Sequence, residues 1–118
     1  MPQAYDVIVI GGGVVGCMTA RFLSRYQLSI LLIEKETDVG MGASSANSAV
    51  VHAGYDPLPG SLKAKMNVLG NVLWDNLAGE LNIPFERRGD YVVAIGPEEL
   101  TGLETLLEQG RRNGVPGM

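Results

Sequence analysis

The stretch from Tyr5 to Ile10 is a nearly continuous β-branched run, and Gly11-Gly12-Gly13 ends it. A run without alternation reads as a strand buried on both faces, as in a parallel sheet. The apolar period then changes. Between Val14 and Tyr26, the residues Val15, Met18, Phe22 and Leu23 recur at helical steps and predict a helix. Ser29–Ile33 is a second apolar strand, closed by Glu34. Strand, helix and strand together occupy about 30 residues, the size of one βαβ unit.

Residues 36–49 lose this apolar weight. Gly40, Gly42, Ala43, Ser44, Ser45, Asn47 and Ser48 dominate them. Such a composition suits a flexible linker or a loop shaped around a ligand. Because Val50-Val51-His52-Ala53 is apolar again at once, the preferred expectation is a loop folded back onto the sheet. Asp56-Pro57-Leu58-Pro59-Gly60 predicts a rigid turn, and Ser61 an N-cap. Leu62, Met66, Leu69, Leu73, Leu77 and Leu81 follow at steps of three and four, giving a long amphipathic helix that Asn82 and Pro84 stop. Tyr91–Ile95 is a third strand candidate. Gly96-Pro97-Glu98-Glu99 opens a last helix, with Leu100, Leu103, Leu106 and Leu107 on one face, and residues 110–118 form a polar, Gly-rich exit. The two leucine faces are core or docking surface, and Trp74 and Cys17 read as packing. The pattern divides the chain into residues 1–35, 36–60 and 61–118, with no internal repeat.

Composition narrows the picture by exclusion. The chain has 118 residues, enough for one small domain. Hydrophobic residues make up 46 % and charged residues 19 %, which excludes disorder. Sixteen glycines without a G-X-Y period exclude a collagen-like fibre and mark backbone positions instead. A net charge of −4 and no basic stripe argue against nucleic acid and against an anionic membrane surface. The apolar stretch from Val7 to Ala20 is broken by glycines and is shorter than the roughly 20 residues a bilayer needs, so no transmembrane segment is expected. It has no basic leader and is not read as a secretory signal. Cys17 is the only cysteine, and no Cys/His cluster exists. The expectation is therefore no metal site, no internal disulfide and a reducing cytoplasm.

The candidate chemistry begins at Gly11-x-Gly13-x-x-Gly16. Alone this pattern is weak; between a strand and a helix it is a dinucleotide fingerprint. Gly11 permits the sharp turn, Gly13 lets a pyrophosphate approach the backbone, and Gly16 lets the helix pack close to the strands. The helix start at Val14 and Val15 offers N–H groups and a positive dipole end to the diphosphate. Glu34 follows Gly16 by about 18 residues, where a carboxylate accepts hydrogen bonds from a ribose diol and repels a 2′-phosphate. The expected fold class is thus α/β, a Rossmann-like βαβ opening segment of a larger protein, truncated at Met118. The fingerprint does not choose between NAD and FAD. The small-residue loop beyond Glu34 points to FAD, whose extended form needs Ser44, Asn47 and Ser48 as small hydrogen-bonding groups. For these three, loop capping is the equal alternative. Lys35 is a candidate at the adenosine end, against the plainer reading of a solvated strand-end lysine.

Tyr5–Gly16, Leu31–Glu36 and above all the run from Ala43 to Gly54 resemble the FAD-dependent oxidoreductase family related to D-amino-acid oxidase and glycine oxidase. Within it, this loop followed by Pro59-Gly60-Ser61-Leu62-Lys63-Ala64-Lys65 is similar to two subgroups, short-type glycerol-3-phosphate dehydrogenases or oxidases and L-2-hydroxyglutarate dehydrogenases or oxidases. Asp56-Pro57 is closer to the first. Ala49 departs from the pattern, where the family often has glycine. The resemblance implies FAD as cofactor and a small-molecule substrate. For the full-length protein it implies an electron-acceptor subunit or a membrane-peripheral association. It also implies that the remaining active site comes from a later stretch. A lone histidine in an apolar run is ordinarily a packed residue. By the resemblance, His52 sits beside the flavin on the substrate side, where it would act as the catalytic base. Lys63 and Lys65 are substrate-phosphate candidates, against a solvated helix face. The rival from another class is a non-catalytic nucleotide-binding or scaffold piece.

Overall fold

The computed structural model describes residues 4–118, which form two compact units dividing after Val50. The expected 36–60 segment is therefore shared: residues 36–50 go with the first unit and 51–60 with the second.

In the first unit, β1 (Val7–Ile10) and β2 (Ile30–Ile33) pair in parallel, with Val7 opposite Ile30 and Ile10 opposite Ile33. A parallel pair needs a crossover, and α1 (Val14–Leu23) provides it. The strand starts are tied by Asp6, whose carboxylate accepts from the Ser29 N–H and hydroxyl, each at 2.8 Å. The Ser29 backbone N–H, then its hydroxyl, holds the Asp6 carboxyl below its ordinary value. Helix α1 stops before the expected Tyr26, because Ser24 turns its hydroxyl onto the Arg21 carbonyl at 2.8 Å. The expected burial on both strand faces is corrected. Val7 and Val9 are half-buried, whereas Ile8 is exposed and Ile10 is 84 % exposed. Among the described residues the sheet has two strands, and α1 covers one side of it. The loop after β2 folds back on the glycine turn: the Gly40 N–H donates to the Gly12 carbonyl at 2.9 Å.

In the second unit, α2 (Leu62–Leu81) starts as its sequence predicts, with the Ser61 hydroxyl accepting from the Ala64 N–H at 3.2 Å. It ends at Asn82, which is left-handed at φ 53°, and the Ile83 N–H closes on the Ala78 carbonyl. A 3-10 turn (Pro97–Glu99) leads into α3 (Leu100–Asn113). Two expectations are corrected here. Tyr91–Ile95 is not a strand, and Ile95 is 93 % exposed. A β-branched run becomes a strand only beside another edge, and none of the described strands offers it one. The stretch from Gly110 is not a loose exit either. Gly110 is buried, the helix runs to Asn113, and Gly114 at φ 78° caps it. The Asn113 amide donates to the carbonyls of Gly54 and Pro57 at 2.9 and 2.8 Å, fixing the Asp56–Gly60 turn against α3.

The leucine stripe of α2 is open. Leu62 is 70 % exposed, and Met66, Leu69 and Leu73 are exposed too, while Ala64 and Ala78 are the buried positions. Trp74 stacks on Phe85 with ring centroids 5.8 Å apart, so it is packing. Cys17 directs its thiol to the Gly12 carbonyl at 3.2 Å.

Two outcomes follow from this packing. A Cβ on residue 16 would collide with the Gly11 carbonyl oxygen, so Gly16→Ala costs about 3 kcal/mol or more. Urea unfolding followed by circular dichroism checks this, and an unchanged midpoint contradicts it. Ser61→Ala removes a cap worth about 1 kcal/mol and lowers the melting temperature while leaving the first unit's spectrum intact.

Candidate functional site

The glycine turn is built by steric necessity. Gly11 has φ 101°, a left-handed conformation that favours a residue without a side chain. Gly13 is the extended N-cap of α1, and a Cβ there would crowd the Ser44 hydroxyl at 3.3 Å. Together with Gly16 against the Gly11 carbonyl, these positions bring the start of α1 to a cleft of about 550 Å³, within the range of ligand sites. Gly11, Gly13, Glu34, Lys35, Gly40 and Ser44 line it. A cradle that side chains would fill, beside a helix N-terminus, fits a dinucleotide pyrophosphate.

Glu34 does more here than the ribose reading requires. Its Oε2 accepts the Gly12 N–H at 2.5 Å, and its Oε1 accepts the N–H groups of Lys35 at 2.8 Å and Glu36 at 3.0 Å. The carboxylate buckles the glycine turn to the end of β2. The Glu36 N–H, then that of Gly12, holds its pKa below the ordinary 4.5. A lowered folded value means that the buckle contributes fully above 4.5 and is lost as pH falls through the lower folded value. A carboxylate has about four acceptor positions, so the backbone takes most of them and leaves room for one further donor. The sequence reading missed Gly12, the buried middle glycine. A Cβ there would meet Val39 at 2.9 Å and the Glu34 side chain. The unbroken run of three glycines was the available signal.

The other candidates fall into place unevenly. The Ser44 hydroxyl accepts from the Val14 N–H at 2.8 Å, so the loop itself caps one of the donors expected to face the diphosphate. Val15 follows with an exposed side chain. Lys35 is exposed and pairs with Glu36 at 3.3 Å, as a solvated lysine does. The Asn47 amide donates to the Ser44 carbonyl at 2.7 Å and its oxygen accepts from the Ala49 N–H at 2.8 Å, so its side chain shapes the loop. Ser48 is exposed further along. Ala49 has φ 55°, which explains physically why glycine suits that position. His52 belongs to the second unit. Its side chain is exposed, correcting the packed reading, and its carbonyl accepts from the Asn71 amide at 3.2 Å. Lys63 reaches Asp56 at 3.4 Å on an exposed face. Among the described residues no cluster of three or more His, Cys, Asp or Glu is placed to hold a metal ion, and no helix is long and apolar enough to cross a membrane.

Comparison with known proteins agrees with this geometry. The family model described as DAO, FAD dependent oxidoreductase, matches residues 6–117. The chain is 53 % identical over 112 residues to a glycerol 3-phosphate dehydrogenase of Caloramator mitchellensis, covering 95 % of this chain and 23 % of that protein. It is 41 % identical to a mitochondrial L-2-hydroxyglutarate dehydrogenase of Caenorhabditis elegans, covering 93 % of this chain and 26 % of that one. Among solved structures, the dithionite-reduced, FAD-bound L-α-glycerophosphate oxidase of Mycoplasma pneumoniae superposes with a TM-score of 0.82 at 38 % identity, over 98 % of this chain and 30 % of that one. The chain thus spans about a quarter of the length of the curated relatives it matches. With a βαβ dinucleotide cradle and a family match over nearly all its residues, the chain belongs to the DAO family of FAD-dependent oxidoreductases.

Proposed function

We propose that this chain is the FAD-holding portion of an enzyme that oxidises sn-glycerol 3-phosphate to dihydroxyacetone phosphate. The observation that carries the substrate class is the 53 % identity to a glycerol 3-phosphate dehydrogenase, set against 41 % for a hydroxyglutarate dehydrogenase. The Asp56-Pro57 dipeptide, which resembles the glycerol-3-phosphate subgroup, points the same way. FAD held by Gly11, Gly13 and the start of α1 would supply the hydride acceptor for this oxidation.

The chain's own residues do the rest. Gly13 and the start of α1 receive the pyrophosphate, with Ser44 holding the loop against the Val14 N–H. Glu34 keeps the turn closed and offers its remaining acceptor positions to the ribose. His52 removes the proton from the substrate's carbinol hydroxyl, a role that an exposed imidazole suits. A second reading, oxidation of L-2-hydroxyglutarate, rests on the 41 % relative.

Turnover of the complete protein decides between them: glycerol 3-phosphate should be turned over at least tenfold faster at saturation, and the reverse order selects the hydroxyglutarate reading. Replacing His52 with Ala should lower kcat by about 10²–10⁴-fold, the usual worth of a general base, with FAD content unchanged; wild-type turnover removes His52 from the mechanism. Glu34→Ala deletes the charge-assisted hydrogen bonds that hold the glycine turn. Its Kd for FAD should rise by about ten- to a hundredfold, measured by fluorescence titration of the apoprotein. In the wild type, FAD retention should fall only below pH 4.5, because the folded pKa of Glu34 is lowered.

A further inference from the structure

The second unit contains a hydrogen-bonded chain that ends on the backbone of His52. Arg87, beyond the end of α2, grips Asp75 with two parallel bonds, Nε to Oδ1 at 2.6 Å and Nη2 to Oδ2 at 2.9 Å. The same guanidinium reaches one turn back along α2 to Asn71. Its Nη1 donates to Asn71 Oδ1 and its Nη2 to the Asn71 carbonyl, both at 2.8 Å. Asn71 Nδ2 in turn donates to the His52 carbonyl at 3.2 Å.

The chemistry of the donors fixes the direction of this chain. A guanidinium has five N–H donors and no acceptor. The amide oxygen of Asn71 must therefore face Arg87, and its NH2 group is left facing His52. The usual ambiguity between the two ends of an asparagine amide is resolved by its partner. Asp75 holds Arg87 in register through a planar, bidentate fork that a lysine could not reproduce. Both charges are partly exposed, so the pair contributes little stability through attraction alone. Its consequence is directional.

Beyond His52, the same segment is held at further points. Gly54 has φ 101°, and a Cβ there would press on Val68 at 3.0 Å and Asn67 at 3.2 Å, so the backbone lies directly on α2. Asn113 takes the carbonyls of Gly54 and Pro57. Asn71 alone among these groups grips His52 itself, and it does so at the backbone while the imidazole stays exposed.

We infer that Asn71, aimed by the Arg87–Asp75 pair, is a positioning residue for His52, fixing the direction from which the imidazole meets the substrate hydroxyl. This inference rests on the reading that His52 is the base. Misplacement of a reacting group by about 1 Å can cost as much as a hundredfold in rate, so a grip on one carbonyl is enough to matter.

The test is Asn71→Asp in the complete FAD-loaded enzyme. The new carboxylate keeps an acceptor for Arg87 and puts a charged oxygen, which cannot donate, in place of the donor to His52. The expected result is a fall in kcat of about tenfold, with KM for glycerol 3-phosphate within about twofold and FAD content unchanged, since the lost interaction concerns the reacting step. In a His52→Ala background the same substitution should change nothing further, because the residue it positions is gone. Wild-type kcat in Asn71→Asp, or losses that multiply in the double variant, overturns the positioning role. If His52→Ala alone retains full turnover, the base assignment fails and this inference falls with it, a result distinct from an inactive His52→Ala beside a fully active Asn71→Asp. Should Asn71→Asp fail to retain FAD, Arg87→Lys carries the same comparison. It keeps a positive charge beside Asp75 but loses the fork, so kcat should again fall at constant KM, and full activity overturns the proposal.

Discussion

The backbone N–H of Gly12, donated to the carboxylate of Glu34, joins the Gly11 N–H on the Ile33 carbonyl in tying the two ends of the βαβ unit together. The sheet pairing brings Ile10 and Ile33 side by side, but it says nothing about the path of the chain beyond them. The buckle does. It fixes Gly12, whose carbonyl then anchors Gly40, which returns the loop so that Ser44 reaches the start of α1. Each step depends on the preceding one: at Gly12 a Cβ would meet Val39 and Glu34, and at Gly40 the positive φ of 75° favours glycine. Glu34 acts as a structural clip, so the local order of the cradle is held through one carboxylate.

The second unit solves a different problem. Its long helix buries alanines and leaves its leucines and Met66 open, and the ordering of its connecting segments falls to polar side chains. Asn113 gathers two carbonyls, Arg87 an acid and a carbonyl, and Asn71 joins the Arg87 guanidinium to the His52 carbonyl. Asparagine suits this task because its amide carries both donors and an acceptor on a short stem.

Much of this was legible in the residues. The change of apolar period at Gly11–Gly16, the Ser61 cap and the Asn82 stop all depend on local chemistry, and the structure has them where the sequence places them. The glycine cradle was legible because only glycine satisfies its geometry. Tyr91–Ile95 misled, because strand character is a property of a pair and a single run shows half of it. The exit at Gly110 misled in the opposite direction, since glycine content concealed a helix whose last turn is held by Asn113. The roles of Gly12 and Asn71 were out of reach for a related reason. Their partners lie 22 and 19 residues away, and nothing in local spacing announces a hydrogen bond across that distance.

The left-handed alanine at position 49 carries an evolutionary consequence. A residue with a Cβ pays about 1–2 kcal/mol to stay in that conformation, and glycine would remove the penalty while loosening the unfolded chain. Every alanine codon becomes a glycine codon by one base change, so selection can reset the stiffness of this stretch in a single mutational step. The methyl group thus marks a tunable setting of the loop, linked through Asn47 to the serine that meets the start of α1.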